Sequence, residues 1–251
     1  MAAKGLDFFG TYVWGRACVM GEPSGAVVAS AFAAFEPSMI AGVYEGARAV
    51  VSRTDALATT FDAASESLAA VIGADDAAAV ERVASRLIDV VDGLDGTGRP
   101  LFAGVSSLPW PADSYGRLFQ ACLALREHRG DGHVNAYVTG GCGPVEMNVL
   151  TELWLGYELG EYSGTRAWPD EATQAALGDM RTRGLLDGDR LSTEGRSVRE
   201  RIEADTDAMD APVVAALGDD VESVIGQLAS WSQRCVDAAM FPPDPRKRAA
   251  G

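Results

Sequence analysis

The sequence predicts a mostly α-helical protein, in which an N-terminal helical bundle is followed by a winged helix-turn-helix domain with a small β-hairpin wing and a C-terminal helix. Apolar residues recur at helical spacing through most of the 251 residues. Alanine is abundant and aromatic residues are few, which favours helix over sheet. Near Asp187 two short segments are joined by an Asp-Gly turn, and a capped helix follows them. The order helix, helix, hairpin, helix is that of a winged helix-turn-helix.

The first part of the chain is predicted to be a helical ligand-binding domain over residues 1–142. After an aromatic-rich segment at 6–20, helices are predicted from Ser24 or Gly25 to Ala34, Pro37 to about Ser52, Thr54 to about Ile72, and from Asp75 onward. The glycines between Asp92 and Pro100 indicate a loop.

The winged helix-turn-helix domain is predicted over residues 143–210. Its helices are expected at Val145–Gly156, at Asp170–Arg183 and from the wing to about Met209. A C-terminal helix over Asp219–Ala239 and a disordered tail after Pro242-Pro243-Asp244-Pro245 make up residues 211–251.

Both histidines of the chain, His128 and His133, fall within residues 123–135. A helix is predicted to end near Glu127, because Gly130-Asp131-Gly132 is typical of a sharp turn. Asp131 would then cap a second short helix through Tyr137. The interpretation is a helix, a tight corner and a helix, with titratable groups gathered at the corner.

This cluster has the groups that acid–base catalysis needs. His133 is the expected general base, and Asp131 or Glu127 would orient a histidine, His133 or His128. Arg16 and Arg129 would grip an anionic group of the substrate, because guanidinium donors match carboxylate and phosphate. Trp14 and Trp110 are candidates for the walls of the pocket.

Structural alternatives stay open for each of these residues. Asp131 could cap a helix while an Arg–Glu pair joins two helices, which would be a buried polar network without catalysis. Arg16 could be a salt-bridge partner, since buried arginines must be paired. Trp110 could serve in ordinary packing. Asp62 and Glu66, one turn apart, are either solvated helix surface or further carboxylates for a site.

No metal and no cofactor are expected. A site built from His128, His133 and a carboxylate is disfavoured by the five-residue spacing and by the arginines on both sides of His128. The glycines at 93, 96 and 98 follow no strand, and the pattern GxGxxG is absent from the sequence. The four cysteines form no CxxC pair, so they give neither a zinc signature nor a disulfide framework.

Charge argues against DNA as a partner. The formal net charge is −15, whereas nucleic-acid binders usually carry a basic stripe. The predicted recognition helix begins with Asp170 and Glu171, and its basic residues, Arg181 and Arg183, come at the far end. The chain has no apolar leader and no run of 18 apolar residues, so no membrane partner and a cytoplasmic location are expected.

Three stretches resemble an actinobacterial family of the SalK/EvbL helix-turn-helix type, many of whose members lie in antibiotic gene clusters. The stretches are Trp14-Gly-Arg-Ala17 with Phe35-Glu-Pro37, residues 125–134, and Arg183-Gly-Leu-Leu-Asp187 through Thr206-Asp207. The likeness covers about residues 12–218. It implies a helical N-terminal domain fused to a winged helix. Near Trp168 the chain departs from the family pattern, with Ala172-Thr173 where a second aromatic residue is expected.

Together these observations predict a small-molecule-binding protein of actinobacterial specialised metabolism. The expected activity is that of a cofactor-independent acid–base enzyme, a lyase, hydrolase or cyclase acting on an anionic polar metabolite by elimination, hydrolysis, isomerisation or ring closure. A transcriptional regulator of the winged-helix type and a metabolite-binding resistance protein are the alternatives. A protein partner or a second copy of the chain is expected in either case.

Overall fold

The fold class predicted from the sequence is confirmed by a computed structural model, which describes residue 1 and residues 4–249. The chain is mostly helical, and its described part has one small antiparallel hairpin just before a long helix. The helices up to the histidine segment are α1 (Phe8–Ala17), α2 (Gly25–Phe32), α3 (Pro37–Val50), α4 (Arg53–Ile72), α5 (Ala77–Asp92), α6 (Pro100–Ser106) and α7 (Ser114–Thr139).

The remaining elements are those of the predicted winged helix-turn-helix and the C-terminal helix. They are α8 (Pro144–Trp154), α9 (Asp170–Thr182), β1 (Leu186–Asp187), β2 (Arg190–Leu191), α10 (Thr193–Leu217), α11 (Val221–Asp237) and α12 (Pro245–Ala249). In the hairpin, Leu186 pairs with Leu191 and Asp187 with Arg190. Gly188 has a φ of 62°, which the tight two-residue turn requires and glycine adopts without strain.

The chain forms two compact units, each assembled from separate segments. The first unit comprises residues 1–23, 43–131 and 210–243, and the second comprises 24–42, 132–209 and 244–251. The boundaries predicted from the sequence, 1–142, 143–210 and 211–251, are consecutive, and they stay a prediction.

The core of the first unit forms because α5 places its apolar residues on one face. Val80, Val83, Leu87 and Val90 recur at helical spacing and are buried. They pack in one cluster with residues of α7 and with Trp231 of α11. The first unit is therefore a helical bundle.

The core of the second unit joins α8 and α9 to the hairpin and the first part of α10. Val149, Leu150, Leu177 and Met180 are buried in one cluster with Leu186 and Leu191 of the hairpin. In the loop between α8 and α9, the buried Glu152 carboxylate accepts hydrogen bonds of 2.8–2.9 Å from the backbone N–H groups of Gly160, Tyr162 and Ser163. This carboxylate therefore holds the backbone of the loop between α8 and α9.

The predicted corner at Gly130-Asp131-Gly132 is wrong, because α7 runs without a break from Ser114 to Thr139. Neither glycine has a positive φ. Two glycines lower the stability of a helix by only about 2 kcal/mol relative to two alanines. The packing of α7 on both sides of the glycines outweighs that loss. Ala121 and Ala124 precede the glycines as buried residues of α7, and Ala136 and Tyr137 follow them.

Two predictions near the C-terminus also differ from the structure. Helix α10, expected to end near Met209, continues through Pro212 to Leu217. Leu217 is buried and Val213 packs against the same core, so their burial offsets the hydrogen bond that proline removes. Residues 245–249, predicted to be disordered, instead form α12, where the Arg246 guanidinium lies over the Tyr157 ring.

Within the described residues, no helix is both long enough and apolar enough to cross a membrane.

Candidate functional site

The first unit contains a cavity of about 530 Å³, a volume within the range of small-molecule sites. Its walls come from α1, α4, α6 and α7. Its lining residues are Met1, Thr11, Tyr12, Gly15, Arg16, Thr59, Thr60, Ala63, Val105, Phe119, Leu123, Arg126 and Glu127.

Helical periodicity explains why these residues meet. On α7, Leu123 follows Phe119 by four residues, and Arg126 and Glu127 follow Leu123 by three and four residues. Residues at these spacings share one face of a helix. Thr60 and Ala63 of α4 are similarly one turn apart. Apolar side chains make up much of the wall, and the charged groups of α1 and α7 are gathered in one part of it.

A buried ion pair forms the charged part of the cavity wall. The Arg16 guanidinium donates from Nε to Oε1 of Glu127 at 3.0 Å and from Nη2 to Oε2 at 2.7 Å. Arg126 donates from Nη1 to Oε1 of Glu127 at 2.7 Å. The Glu127 side chain is 1% exposed, whereas that of Arg126 is 49% exposed.

These arginines keep Glu127 ionised. Burial alone would raise the pKa of Glu127, but the hydrogen bonds and charges of Arg16 and Arg126 outweigh burial and lower that pKa. Burial would likewise lower the pKa of Arg16, and Glu127 together with Tyr12 raises it instead. Glu127 is therefore a poor proton acceptor near neutral pH, and its evident role is to hold the arginines.

Two hydroxyl groups on the cavity wall lack partners. The buried Oγ1 atoms of Thr11 and Thr60 have no hydrogen-bond partner within the described part of the chain. An unpaired buried polar atom costs about 1–3 kcal/mol, so native proteins usually satisfy such groups with protein, water or ligand. Both oxygens are covered by surrounding side chains, so a bound molecule would reach them only after those side chains shift.

His128 lies in the first unit but does not line this cavity. Its ring is buried and packs edge-on against Phe102, with 4.9 Å between ring centroids. Its Nδ1 lies 2.6 Å from Oδ1 of Asp210 on α10. Because an ionised carboxylate only accepts, Nδ1 carries the proton in this pair. Asp210 therefore orients the imidazole, a role that the sequence-based hypothesis gave to Asp131 or Glu127.

Asp131 caps helix α6. Its Oδ2 atom accepts hydrogen bonds of 3.0 Å from the backbone N–H groups of Leu101 and Phe102, at the first turn of that helix. Burial raises the pKa of Asp131 to about 6, even though these two N–H groups favour the ionised form. Asp131 and the Arg16–Glu127 pair thus form the contacts of the structural alternative that the sequence left open.

The other predicted substrate-binding residues of the first unit lie outside the cavity lining. Trp14 is fully buried, donates from Nε1 to the carbonyl of Val51 at 2.8 Å and packs edge-on against Tyr44. Trp110 packs against the core of the bundle. Arg129 is exposed. Of the predicted site residues, only Arg16 and Glu127 meet at the cavity.

His133 belongs to the second unit. Its Nδ1 lies 3.0 Å from Oγ1 of Thr206 and 3.6 Å from Oε1 of Glu203. The Thr206 hydroxyl donates to the carbonyl of Ile202 at 2.7 Å, so it accepts from Nδ1–H of His133. Threonine therefore fixes the tautomer of His133, which leaves Nε2 as the basic nitrogen of the neutral ring.

No group of three or more His, Cys, Asp or Glu side chains in the described part of the chain could hold a metal ion. Asp62 and Glu66 are exposed, as expected for solvated helix surface.

Helix α9, the predicted recognition helix, is acidic and its arginines are paired. Asp170 and Glu171 are exposed in its first turn. Arg183 donates to Glu146 at 2.8 Å and lies 3.3 Å from Asp179. Arg181 lies 3.4 Å from Asp189 of the wing. Residues 132–209, which contain α8, α9, the hairpin and the first part of α10, have fourteen acidic residues and seven arginines, so this segment presents little positive charge to a phosphate backbone.

Sequence reasoning missed the uncharged part of the cavity wall. Tyr12, Thr60 and Phe119 were not singled out, because each fits an ordinary amphipathic helix. One usable signal was the pair Thr59-Thr60 in an alanine-rich helix, since threonine is a weak helix former and a buried hydroxyl needs a partner.

Helices α8 and α9, the hairpin and α10 together define a helix-turn-helix protein that also carries a helical unit with a cavity. The chain belongs to the HTH_67 helix-turn-helix family, whose family model matches residues 1–242. No curated protein and no solved structure matches the chain.

Proposed function

We propose that this protein binds a small organic molecule in the cavity of its first unit. The observation that carries the proposal is a cavity of about 530 Å³ with a mainly apolar wall, in which the Thr11 and Thr60 hydroxyls have no partner among the described residues. A ligand that covers the apolar side chains of this wall removes them from water, which favours binding.

We further propose that the chain is of the SalK/EvbL type and acts in the cytoplasm of an actinobacterium, in specialised metabolism. The three stretches that resemble that type support this assignment. In this setting the protein would be a metabolite sensor or a resistance protein, which holds its ligand without converting it. The wall of the cavity supports binding better than catalysis, because its one carboxylate is kept ionised by two arginines.

The acid–base enzyme is the second candidate. Asp210 orients His128 and Thr206 orients His133, and catalytic imidazoles are commonly held in this way. If His133 is a general base, its replacement by Gln lowers the rate about 100- to 10,000-fold. An unchanged rate in the His133→Gln variant would remove that role.

Duplex DNA is not part of the proposal. The exposed carboxylates at the start of α9 repel phosphate, and the arginines near its end are engaged by Glu146, Asp179 and Asp189.

The proposal is tested with Nile red, an uncharged dye whose fluorescence rises in apolar surroundings. We expect the wild-type protein to enhance the fluorescence, and we expect Ala63→Trp to abolish most of the enhancement because the indole, at an exposed position that lines the cavity, blocks its opening. Ala58→Trp is the matched control, since Ala58 is exposed on the same helix and does not line the cavity. Equal enhancement by wild type and both variants contradicts the proposal.

Native mass spectrometry supplies the natural ligand. Wild-type protein and Ala63→Trp are incubated with a metabolite extract of the cells that make this protein. A molecule retained only by the wild type is the candidate for the natural ligand. Recovery of that molecule unchanged after prolonged incubation identifies a binding protein, and its conversion identifies the enzyme.

A further inference from the structure

We infer that the ligand of this cavity is an amphipathic organic acid, and that Arg126 is the residue that selects its carboxylate. This inference rests on the proposed function, because it names the chemical class of the molecule that fills the same cavity.

The charge of the wall points to an anion. Among the side chains that line the cavity, Arg16 and Arg126 are positive and Glu127 is negative, which leaves one net positive charge. The whole chain has a net charge of −15, so the positive charge of this wall contrasts with the charge of the chain as a whole. A single net charge matches a carboxylate better than a phosphate, whose charge approaches −2 near neutral pH.

Arg126 is the arginine with donors to spare. Arg16 directs both Nε and Nη2 to Glu127, which fixes its guanidinium in a bidentate pair. Arg126 makes one hydrogen bond, from Nη1 to Glu127, among the residues that the structure describes. Its Nε and Nη2 groups remain available, and Glu127 holds the guanidinium against the cavity wall. A carboxylate could therefore take two parallel hydrogen bonds from Arg126 without displacing the buried pair.

The rest of the wall defines the body of the ligand. Val105, Phe119 and Leu123 offer apolar contacts, and Phe119 lies edge-on to Phe61 with 5.5 Å between ring centroids. The sequence-based expectation of a polar metabolite gripped by Arg16 and Arg129 is thus replaced by a mainly apolar molecule with one acidic group.

The test uses a matched pair of probes, 1-naphthoate and 1-naphthamide, which differ in charge and have nearly the same shape. Their affinities are measured by displacement of Nile red and by calorimetry at neutral pH. A charge-assisted pair of hydrogen bonds predicts that wild type prefers the acid by roughly 10- to 100-fold. Arg126→Gln should remove most of this preference and leave the affinity for the amide within about twofold.

Arg82→Gln is the control, because Arg82 is an exposed arginine of the same unit that does not line the cavity, and both affinities should match wild type. If Nile red binds but wild type does not distinguish acid from amide, or binds neither, the inference is overturned and the proposed cavity function stands. Equal preference in Arg126→Gln and wild type also overturns it. Loss of Nile red binding at the outset would reject the proposed function itself.

Discussion

Arg16 and Glu127, 111 residues apart in the sequence, form a bidentate ion pair that connects α1 to α7 in the wall of the cavity. The exposed fraction of the side chain is 17% for Arg16 and 1% for Glu127. Burying these two charges removes them from water at a large cost in hydration free energy. Removing one partner leaves the other charge buried and uncompensated. The pair therefore has a measurable effect on stability as well as on the shape of the site.

We expect Arg16→Ala to lower the free energy of unfolding by about 3–5 kcal/mol, since Glu127 is left buried with Arg126 as its one remaining partner among the described residues. The double variant Arg16→Met/Glu127→Met removes both charges at similar volume and should recover most of this loss. Urea denaturation measures both. A double variant that is less stable than Arg16→Ala would show that the single loss came from packing and not from an unpaired charge.

The Asp131 carboxylate makes stability depend on pH. Its pKa rises from 3.8 to about 6 on folding. Between these values the native state binds the proton and the unfolded state does not, so this group's contribution to stability falls as pH rises from about 4 to 6. Asp131→Asn keeps an oxygen that can accept from Leu101 and Phe102 but cannot ionise. Across this pH range, we expect the free energy of unfolding of Asp131→Asn to rise by about 1–3 kcal/mol relative to that of the wild type.

The measurement is urea denaturation of both proteins at several pH values across that window. Asp62→Asn is the control, because Asp62 is exposed on α4, and its difference from wild type should change little with pH. If the difference in free energy of unfolding between Asp131→Asn and wild type is the same at every pH, the ionisation of Asp131 does not control stability in this range.

Local patterns predicted the elements of the fold well where one helix face or one turn determines the structure. The boundaries of α4 and α9 and the hairpin at Gly188 follow from apolar spacing and turn chemistry. The corner at Gly130-Asp131-Gly132 failed because glycine and aspartate are also tolerated inside a helix when tertiary contacts use them. Asp131 satisfies N–H groups of another helix, α6, which no pattern within α7 reveals.

The candidate site was only partly predictable for the same reason. Arg16 attracts notice as a charged residue among apolar neighbours and Glu127 as a member of the charged segment 126–131, and they do meet. His128 and His133 are close in sequence, yet their partners, Asp210 and Thr206, lie on α10 and more than 70 residues away. Proximity in sequence indicated a shared site, whereas the contacts assign the two rings to different units.

Glu152 is expected to control the loop between α8 and α9. Glu152→Gln replaces one accepting oxygen by an N–H₂ group, so at least one of the N–H groups of Gly160, Tyr162 and Ser163 loses its acceptor, at a cost of about 1–3 kcal/mol. Hydrogen–deuterium exchange should show faster exchange at residues 160–163. The exposed Glu158 is the matched control, and Glu158→Gln should leave the rates unchanged. Unchanged exchange in Glu152→Gln would mean that the carboxylate does not hold the loop.

The charge of α9 predicts a gain of DNA binding on neutralisation. The variant Asp170→Asn/Glu171→Gln/Asp179→Asn removes three exposed carboxylates and one of the acidic partners of Arg183. We expect duplex affinity at low salt to rise by roughly tenfold or more, and to fall again with added salt because the new attraction is electrostatic. Fluorescence anisotropy with a labelled duplex measures the affinity of the variant and of the wild type at about 50 and about 150 mM salt. Wild-type protein should show little binding in either condition, and tight wild-type binding at the higher salt would contradict the expectation that α9 does not contact DNA.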